Sequence, residues 1–223
     1  MTSIVRRARE IARPVRRAVA TPLFRGATHF WDRTYRTGGD SGHGSSGHLA
    51  EFKADVLNRW VRTHGFASVL ELGCGDGRQL ALAAYPRYIG LDISRAAIDL
   101  CRQRFVDDDT KSFLLYDPAR FHDPAGFLRA DLAISLDVLF HAVDERDWEL
   151  HLQHLFGAAG RAVVVYAPDA DRPTAVPYSR VRPFTPWVAA HLPEWRLVET
   201  IPNPWPKESW SDFHLFLREG ALT

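Results

Sequence analysis

The sequence predicts an α/β protein with a mostly parallel sheet, and three observations lead to this fold class. Short apolar runs alternate with segments of helical periodicity from about residue 48 onward, as in chains that cover both faces of a parallel sheet with helices. A glycine-rich turn directly follows the first apolar run. The last two runs have no helix between them, so we expect them to pair antiparallel as a hairpin at one edge of the sheet.

Length and composition favour a single globular domain. The chain has 223 residues, of which 46% are hydrophobic and 25% charged. No apolar stretch approaches the roughly 18 residues of a membrane-spanning helix, and no secretory segment is evident, so no integral membrane association and a cytoplasmic location are expected. Two cysteines, Cys74 and Cys101, are too few for a disulfide framework and indicate a reduced, intracellular protein.

Residues 1–47 are predicted to form a basic N-terminal arm and a lid loop, ahead of a domain over residues 48–223. The first 25 residues hold seven arginines and one glutamate, which leaves 21 cationic and 26 acidic residues in the remainder. Such an acidic body argues against a nucleic-acid partner. Apolar residues at helical spacing, interrupted by Pro14, suggest that the arm packs on the body or on a second subunit of a homodimer. Binding to a membrane surface or an acidic partner is the alternative.

The elements follow in order along the chain. Residues 34–47 are rich in glycine and serine and predict a mobile lid or binding loop. Leu49, Phe52, Val56 and Trp60 predict a helix that ends at Gly65. Strands are predicted at 68–72, 88–92, 112–116, 131–136, 162–166, 195–201 and 213–217, with helices around Leu80 and Leu82, around Trp148, Leu152 and Leu155, and around Trp187.

The turn after the first strand is the most informative motif, and it reads Glu71-Leu72-Gly73-Cys74-Gly75-Asp76-Gly77. Ligands of open parallel sheets bind at such strand ends, where glycine allows close approach of the backbone. Asp92 ends the next predicted strand, where a carboxylate can accept hydrogen bonds from the two hydroxyls of a ribose. The alternative is that Asp92 caps the helix that begins near Ser94.

Details of the turn favour one adenosine cofactor over others. The dinucleotide fingerprint needs a third glycine that is misplaced here, and no phosphate-binding Gly-Lys-Ser/Thr sequence is present. Glu71 and Asp76 would repel a pyrophosphate but suit a ligand that carries an ammonium and a sulfonium. S-adenosylmethionine is therefore favoured over NAD, and a dehydrogenase remains an alternative.

At this point residues 48–218 resemble the class I S-adenosylmethionine-dependent methyltransferases. The resemblance implies a Rossmann-like, doubly wound seven-stranded sheet with an antiparallel last strand. It implies that the methionine part of the cofactor lies over the turn, the ribose on Asp92, and the adenine near Ile93 and Asp117. The cofactor-binding residues that we predict are Tyr35, Lys53, Glu71, Gly73, Cys74, Gly75, Gly77, Asp92, Ile93, Asp117, Ser135 and Leu136.

A narrower resemblance rests on residues 41–47, Ser-Gly-His-Gly-Ser-Ser-Gly, with Glu51-Phe52-Lys53 and with residues 135–141, Ser-Leu-Asp-Val-Leu-Phe-His. These segments are similar to bacterial sugar O-methyltransferases of polysaccharide biosynthesis, including those for methylmannose polysaccharides. The resemblance implies a sugar or oligosaccharide acceptor and a lid that closes over cofactor and acceptor. It also makes Tyr35 and Lys53 candidates to meet the cofactor carboxylate.

Methyl transfer to an alcohol requires removal of the hydroxyl proton, and the base should lie where the fourth strand ends. Asp137 and His141 are there, four residues apart, so we predict His141 as general base and Asp137 as the group that orients it or holds the acceptor. The alternative is that the pair only shapes the cofactor pocket. His151 and His154 are predicted to be surface residues.

A metal-dependent variant is also open at this stage. In it, Asp137 holds a magnesium ion together with Asp144, Asp169 or Asp212.

The acceptor is the least determined part of the prediction. His43, Tyr166 and His214 are predicted to contact it, and aromatic residues of the lid and late loops are candidate platforms for a sugar ring. The Asn/Asp-Pro-Pro-Tyr/Phe motif of amino methylation is absent after the fourth strand. A methyltransferase for another small hydroxylated metabolite and a cofactor-binding, non-catalytic partner protein are the alternatives.

Overall fold

A computed structural model describes residues 26–220, which form one seven-stranded sheet with helices on both faces. The strands are β1 (Val69–Leu72), β2 (Tyr88–Asp92), β3 (Lys111–Leu115), β4 (Ala130–Leu136), β5 (Ala159–Ala167), β6 (Trp195–Ile201) and β7 (Asp212–Arg218). The helices are α1 (Ala27–Arg36), α2 (Gly47–His64), α3 (Arg95–Arg104), α4 (Glu145–Gly157) and α5 (Thr185–His191). Single 3₁₀ turns lie at His43–Ser45, Leu80–Leu82 and Leu139–His141.

The strand order is β3-β2-β1-β4-β5-β7-β6, and β7 is the one reversed strand among those described. β1 pairs in parallel with both β2 and β4, so the chain changes direction across the sheet beside β1. The carboxyl ends of β1, β2 and β4 therefore meet at one edge, next to this switch point. The predicted fold class is confirmed, and the final hairpin is present with β6 rather than β7 at the sheet edge.

Alternating side chains of the central strands fill two cores. Leu132 and Val164 lie in the core covered by α2, whereas Ala133 and Val163 lie in the core covered by α4. This alternation follows from the two-residue period of a strand, and it explains why the central strands are apolar throughout. Gly65 ends α2 in the left-handed conformation at φ 61°, as its position after the last apolar repeat predicted.

Two local predictions were wrong. The helix expected around Leu80 and Leu82 is a single 3₁₀ turn, and the backbone is already extended at Ala83, three residues before Pro86. Helix α1 was not predicted, and it takes in the first three residues of the predicted loop 34–47.

The predicted basic arm lies outside the described residues. Within residues 26–220, no helix is long and apolar enough to cross a membrane.

Candidate active site

A cavity of about 860 Å³ opens at the carboxyl edge of the sheet, in the upper part of the usual range for small-molecule sites. The ends of β1, β2 and β4 form its floor. Helix α1 and the loop of residues 37–46 form its cover, and this loop is here called the lid. Residues 168–181, here called the flap, and the β6–β7 loop at 202–211 complete the wall. The volume is large enough for a cofactor and a small acceptor side by side.

The glycine turn forms the cavity floor with backbone conformations that favour glycine. Gly73 has φ 93° and Gly75 has φ 57°. A Cβ atom on Gly75 would lie 2.5 Å from the Ser41 hydroxyl of the lid and 3.1 Å from that of Tyr35. A Cβ atom on Gly73 would overlap the Val138 side chain. Close packing as well as backbone conformation therefore requires glycine at both positions.

Asp92, at the end of β2, holds the turn in place. Its carboxylate accepts the Gly75 N–H at 2.9 Å and the Ser94 N–H at 2.8 Å. Burial raises the pKa of Asp92 to about 6, although these backbone donors oppose the shift. Ser94 is the residue that caps α3, through Ala97 N, so the helix-capping alternative for Asp92 is not supported.

Glu71 is the second acid beneath the cavity. It is buried at the end of β1 and accepts the Tyr88 hydroxyl at 2.6 Å. Burial raises the pKa of Glu71 to about 7, and the Tyr88 hydrogen bond and the nearby Lys53 oppose that shift. The floor of the cavity thus carries two carboxyl groups whose ionisation is sensitive to what binds above them.

Asp137 begins the segment after β4, with a left-handed backbone at φ 58° that is strained for a residue other than glycine. One carboxylate oxygen accepts the Lys53 ammonium at 2.8 Å, and the other accepts the Ser211 hydroxyl at 2.7 Å. Gly44 of the lid lies so close that a Cβ atom there would be 2.8 Å from Oδ2. Three distant segments therefore converge on one carboxylate.

Lys53 and Gln79 both line the cavity and have hydrogen-bonding capacity that residues 26–220 leave unused. Lys53 is 1% exposed, and Asp137 is the one hydrogen-bond acceptor that its three N–H donors meet in residues 26–220. Gln79 donates to the Ala50 carbonyl at 3.0 Å, while its Oε1 is buried without a partner in the same range. Buried polar groups are nearly always paired, so both side chains point to a ligand.

Breaking the Lys53–Asp137 pair is expected to destabilise the protein. Lys53→Met should lower the free energy of unfolding by about 2 kcal/mol, less than the about 3–5 kcal/mol of a fully buried pair, because the Asp137 side chain is 21% exposed. Asp137→Asn in the Lys53→Met background should cost less than it does alone. Urea unfolding measures both, and Arg36→Met, in an exposed pair with Asp32, is the control expected to lose under 1 kcal/mol. Additive losses would contradict the coupling.

His141 lines the cavity, but Asp137 does not orient it. Nδ1 of His141 lies 2.9 Å from the Tyr178 carbonyl oxygen of the flap. A carbonyl can only accept, so Nδ1 carries the proton and the lone pair of the neutral ring is on Nε2. Burial lowers the pKa of His141 below its ordinary value, which favours the neutral ring at pH 7. The predicted orientation of His141 by Asp137 was therefore wrong, because Nδ1 of His141 donates to the Tyr178 carbonyl instead, whereas the alternative role of Asp137 in holding the acceptor stays a prediction.

The lid contacts the glycine turn directly. The Ser41 hydroxyl donates to Asp76 Oδ1 at 2.9 Å, and Arg78 pairs with Asp40 at 2.7 Å. Asp32, on α1, accepts the Ala96 N–H at 3.1 Å at the start of α3. The predicted lid loop thus lies over the cavity and is fixed to the elements that form its floor.

The cavity wall formed by the flap and the β6–β7 loop is polar and aromatic. Trp210 lines it and is 51% exposed, and the Arg172 guanidinium lies 4.3 Å from the centroid of its ring. Lys207 also lines the cavity and has no carboxylate within 4 Å among residues 26–220. His43 contributes from the lid, with Nε2 at 3.2 Å from Glu208.

Most of the predicted site residues line the cavity: Tyr35, His43, Lys53, Glu71, Gly73, Cys74, Gly75, Asp92, Ile93, Asp117, Leu136, Asp137 and His141. Four do not: Gly77, Ser135, Tyr166 and His214.

The structure gives a physical reason for each of these four corrections. Gly77 faces Phe105 and Cys101, the Ser135 hydroxyl is 2.8 Å from His151 Nε2, and Nδ1 of His214 lies 3.2 Å from the Asp212 carbonyl. Tyr166 is buried beneath the Lys53 ammonium, 5.3 Å from its ring centroid.

The two histidines predicted to be on the surface of α4 are not exposed. His151 is buried against Ser135, and burial lowers its pKa to about 3. His154 is half-buried, with Nδ1 at 2.5 Å from the Tyr116 hydroxyl. Both were misjudged because the residues that contact them, Ser135 and Tyr116, come from elsewhere in the chain.

The acids proposed for a metal variant are engaged with other groups. Asp144 caps α4, Asp169 accepts the Phe184 N–H at 2.6 Å, and Asp212 accepts the Asn203 N–H at 2.7 Å. Within residues 26–220 no group of three or more histidine, cysteine or acidic residues is arranged to hold a metal ion.

Comparison with known proteins agrees with this geometry. Residues 69–159 match a family model described as a methyltransferase domain. The chain has the fold of the class I methyltransferases, and this segment is similar to methyltransferase domains. This match spans β1 to the start of β5, including the glycine turn, Asp92 and Asp137. The predicted cofactor, S-adenosylmethionine, is that of this class, and the prediction is confirmed at this level. No curated protein matches the chain.

Solved methyltransferase structures share the fold. N-methyltransferase NodS from Bradyrhizobium japonicum WM9, in complex with S-adenosylhomocysteine, is 17% identical with a TM-score of 0.69, covering 87% of this chain and 99% of that one. Magnesium protoporphyrin IX methyltransferase from Synechocystis PCC 6803, with bound S-adenosylmethionine, is 17% identical with a TM-score of 0.65, covering 89% and 100%. CurJ carbon methyltransferase is 18% identical, covering 76% and 54%, with a TM-score of 0.57. These identities establish the fold, not the acceptor.

Proposed function

We propose that this methyltransferase transfers a methyl group to a hydroxyl of a sugar or oligosaccharide, with His141 as general base. The observation that carries the proposal is the state of His141. It lines the cavity, its Nδ1 lies 2.9 Å from the Tyr178 carbonyl oxygen, and burial lowers its pKa, which favours the neutral ring. An alcohol acceptor needs such a base, whereas a neutral amine carries its own lone pair and can be methylated before it loses a proton.

The cavity floor fits S-adenosylmethionine residue by residue. Asp92, Ile93 and Asp117 all line the cavity, and in this proposal Asp92 would accept hydrogen bonds from the ribose hydroxyls while Ile93 and Asp117 would border the adenine. The unpartnered Gln79 Oε1 would accept from the ammonium group, and the spare N–H donors of Lys53 would meet the carboxylate. The ligand's two positive charges also suit the acidic floor formed by Glu71 and Asp92.

The chain's own residues account for the proton. When bound, S-adenosylmethionine supplies a methyl group on a positively charged sulfur. His141 takes the acceptor hydroxyl proton on Nε2 and becomes an imidazolium, and the Tyr178 carbonyl continues to accept the Nδ1 proton. Trp31 packs edge-on against the His141 ring at 5.0 Å and limits its rotation. Asp137, already paired on both oxygens, serves to hold the lid and the β6–β7 loop in place.

A sugar acceptor is favoured by Trp210. Arg172 occupies one side of the indole, and the half-exposed ring borders the cavity, so a flat apolar surface is available to a sugar face. Hydroxyl groups of Ser209 and Ser211 line the same wall. The direct test measures methyl transfer from S-adenosylmethionine to neutral and acidic oligosaccharides, to phenols and to amines. Transfer to an amine or a phenol and to none of the sugars would refute the sugar assignment.

Cofactor affinity should depend on the ionisation of Asp92. Since the pKa of Asp92 in the folded protein is about 6, S-adenosylmethionine should bind several-fold more weakly at pH 5 than at pH 7.5, because a protonated carboxyl loses acceptor capacity for the ribose. Calorimetry over this pH range measures the effect. Asp92→Asn should bind weakly with a flatter pH profile, and an unchanged profile in this variant would assign the dependence to another group.

The raised pKa of Asp92 also makes the stability of the ligand-free protein depend on pH, in the opposite direction to cofactor affinity. The folded pKa of Asp92 lies above the value near 3.9 of an unfolded chain, so between about pH 4 and pH 6 the folded state binds the extra proton. The contribution of Asp92 to the free energy of unfolding therefore decreases as the pH rises through this window.

A further inference from the structure

We propose that Cys74 and Cys101 form an oxidative modification site that closes the cofactor site. In this proposal, peroxide converts the pair to a disulfide when the cavity is empty, and the disulfide prevents S-adenosylmethionine from binding. The inference concerns the glycine turn and does not depend on the identity of the acceptor.

The two thiols converge on one backbone oxygen of the turn. Cys101, on α3, places Sγ 3.2 Å from the Gly75 carbonyl oxygen, and Cys74 places Sγ 3.9 Å from the same atom. Both cysteines are free and buried, and they are the two cysteines of the chain. Because they come from different elements, a bond between them would tie the turn after β1 to α3.

The thiols differ in access. Cys74 lines the cavity, whereas Cys101 is 0% exposed and lies behind the turn, against Gly77. A small oxidant that enters the cavity therefore reaches Cys74 first, and a cofactor lying over the turn would cover it. The hydrogen bond with Cys101, and then burial, raise the pKa of the Cys74 thiol, so a slow reaction is expected.

The chemistry balances with hydrogen peroxide as the oxidant. The Cys74 thiol is oxidised to a sulfenic acid as peroxide is reduced to water. The Cys101 sulfur then attacks the Cys74 sulfur, the S–S bond forms, and the sulfenic oxygen leaves as a second water with the Cys101 proton. A dithiol reductant reverses the step.

The packing around Gly75 explains why the bond would block the cofactor. Bonded sulfurs lie about 2.05 Å apart, so both must move relative to the Gly75 carbonyl that they now contact. The Gly75 N–H is held by Asp92, and its Cα packs against Ser41 of the lid. A shift of this peptide therefore displaces the carboxylate assigned to the ribose.

The test uses the full-length, reduced protein with hydrogen peroxide as the probe. We expect the count of free thiols to fall from two to zero in the monomer and the affinity for S-adenosylmethionine to fall at least tenfold. Both should recover with dithiothreitol, and saturating S-adenosylmethionine should slow the thiol loss. If the reduced protein binds no S-adenosylmethionine, the proposed cofactor site fails, while the thiol count still tests the pair.

The variant Cys101→Ser separates the pair from general oxidative damage. It should form no disulfide and, in the presence of dimedone, should carry the sulfenic adduct on Cys74. Cys74→Ser should leave the Cys101 thiol intact under the same treatment. Retention of both thiols in the wild type, a disulfide between two chains, or equal loss of binding with and without dithiothreitol would overturn the proposal.

Discussion

Gly75→Val is expected to weaken S-adenosylmethionine binding at least about 100-fold, or about 2.7 kcal/mol. The substitution places a branched side chain at φ 57°, with its Cβ 2.5 Å from the Ser41 hydroxyl and 3.1 Å from that of Tyr35. The lid must then move away from the turn, and the Gly75 N–H can no longer keep its hydrogen bond to Asp92. Calorimetric titration with S-adenosylmethionine measures the loss.

A matched control separates the clash of the new side chain with the lid from the strain that a positive φ imposes on the backbone. Gly65 has φ 61° at the end of α2, and a Cβ atom there would meet nothing within 4 Å. Gly65→Val should therefore lower stability through the same kind of strain while leaving cofactor affinity unchanged. If both variants lose affinity equally, the effect comes from general destabilisation, and the assignment of the turn to cofactor binding would have to be abandoned.

His141→Ala is expected to lower kcat by about 10²–10⁴-fold while leaving the affinity for S-adenosylmethionine within a factor of two. The variant removes the proton acceptor of the proposed reaction but no group assigned to cofactor binding. The measurement is turnover on the acceptor found in the screen, together with calorimetry of cofactor binding. A loss confined to cofactor affinity would reassign His141 to the shaping of the pocket.

The pH profile gives the His141 prediction a second readout. A general base acts in its neutral form, and burial lowers the pKa of His141 below the usual 6.5. The wild-type rate should therefore be level above pH 7 and fall as the solution is acidified through that lowered pKa. Added imidazole should restore part of the rate to His141→Ala, and His122→Ala, which changes an exposed histidine, should behave as wild type.

The fold and the floor of the cavity were predictable because their signals are local. Strand and helix periodicities, the glycine turn and the acid that ends β2 each lie within one short segment. Those segments then meet because parallel strands end at the same edge of the sheet. The sequence alone therefore predicts that Glu71, Gly75 and Asp92 belong to one site.

The contacts of Asp137 and His141 were predicted less well because they are not local. Asp137 pairs with Lys53, 84 residues away, and with Ser211, 74 residues away, so no spacing rule reveals either contact. The partner of His141 is a backbone carbonyl in the flap, and a carbonyl has no side-chain identity that a sequence can show. Asp137 and His141 were therefore predicted to be partners, although each has a different partner in the structure.

The fastening of the lid has a consequence for the order of events in turnover. Ser41 and Tyr35 lie directly over Gly75, and the lid is joined to the floor through Asp76 and Arg78. Cofactor exchange requires these contacts to break, whereas the acceptor side is walled by the flap and the β6–β7 loop. We therefore expect a compulsory sequence, in which the methyl donor enters first and its demethylated product leaves last, with the release of that product setting the turnover rate.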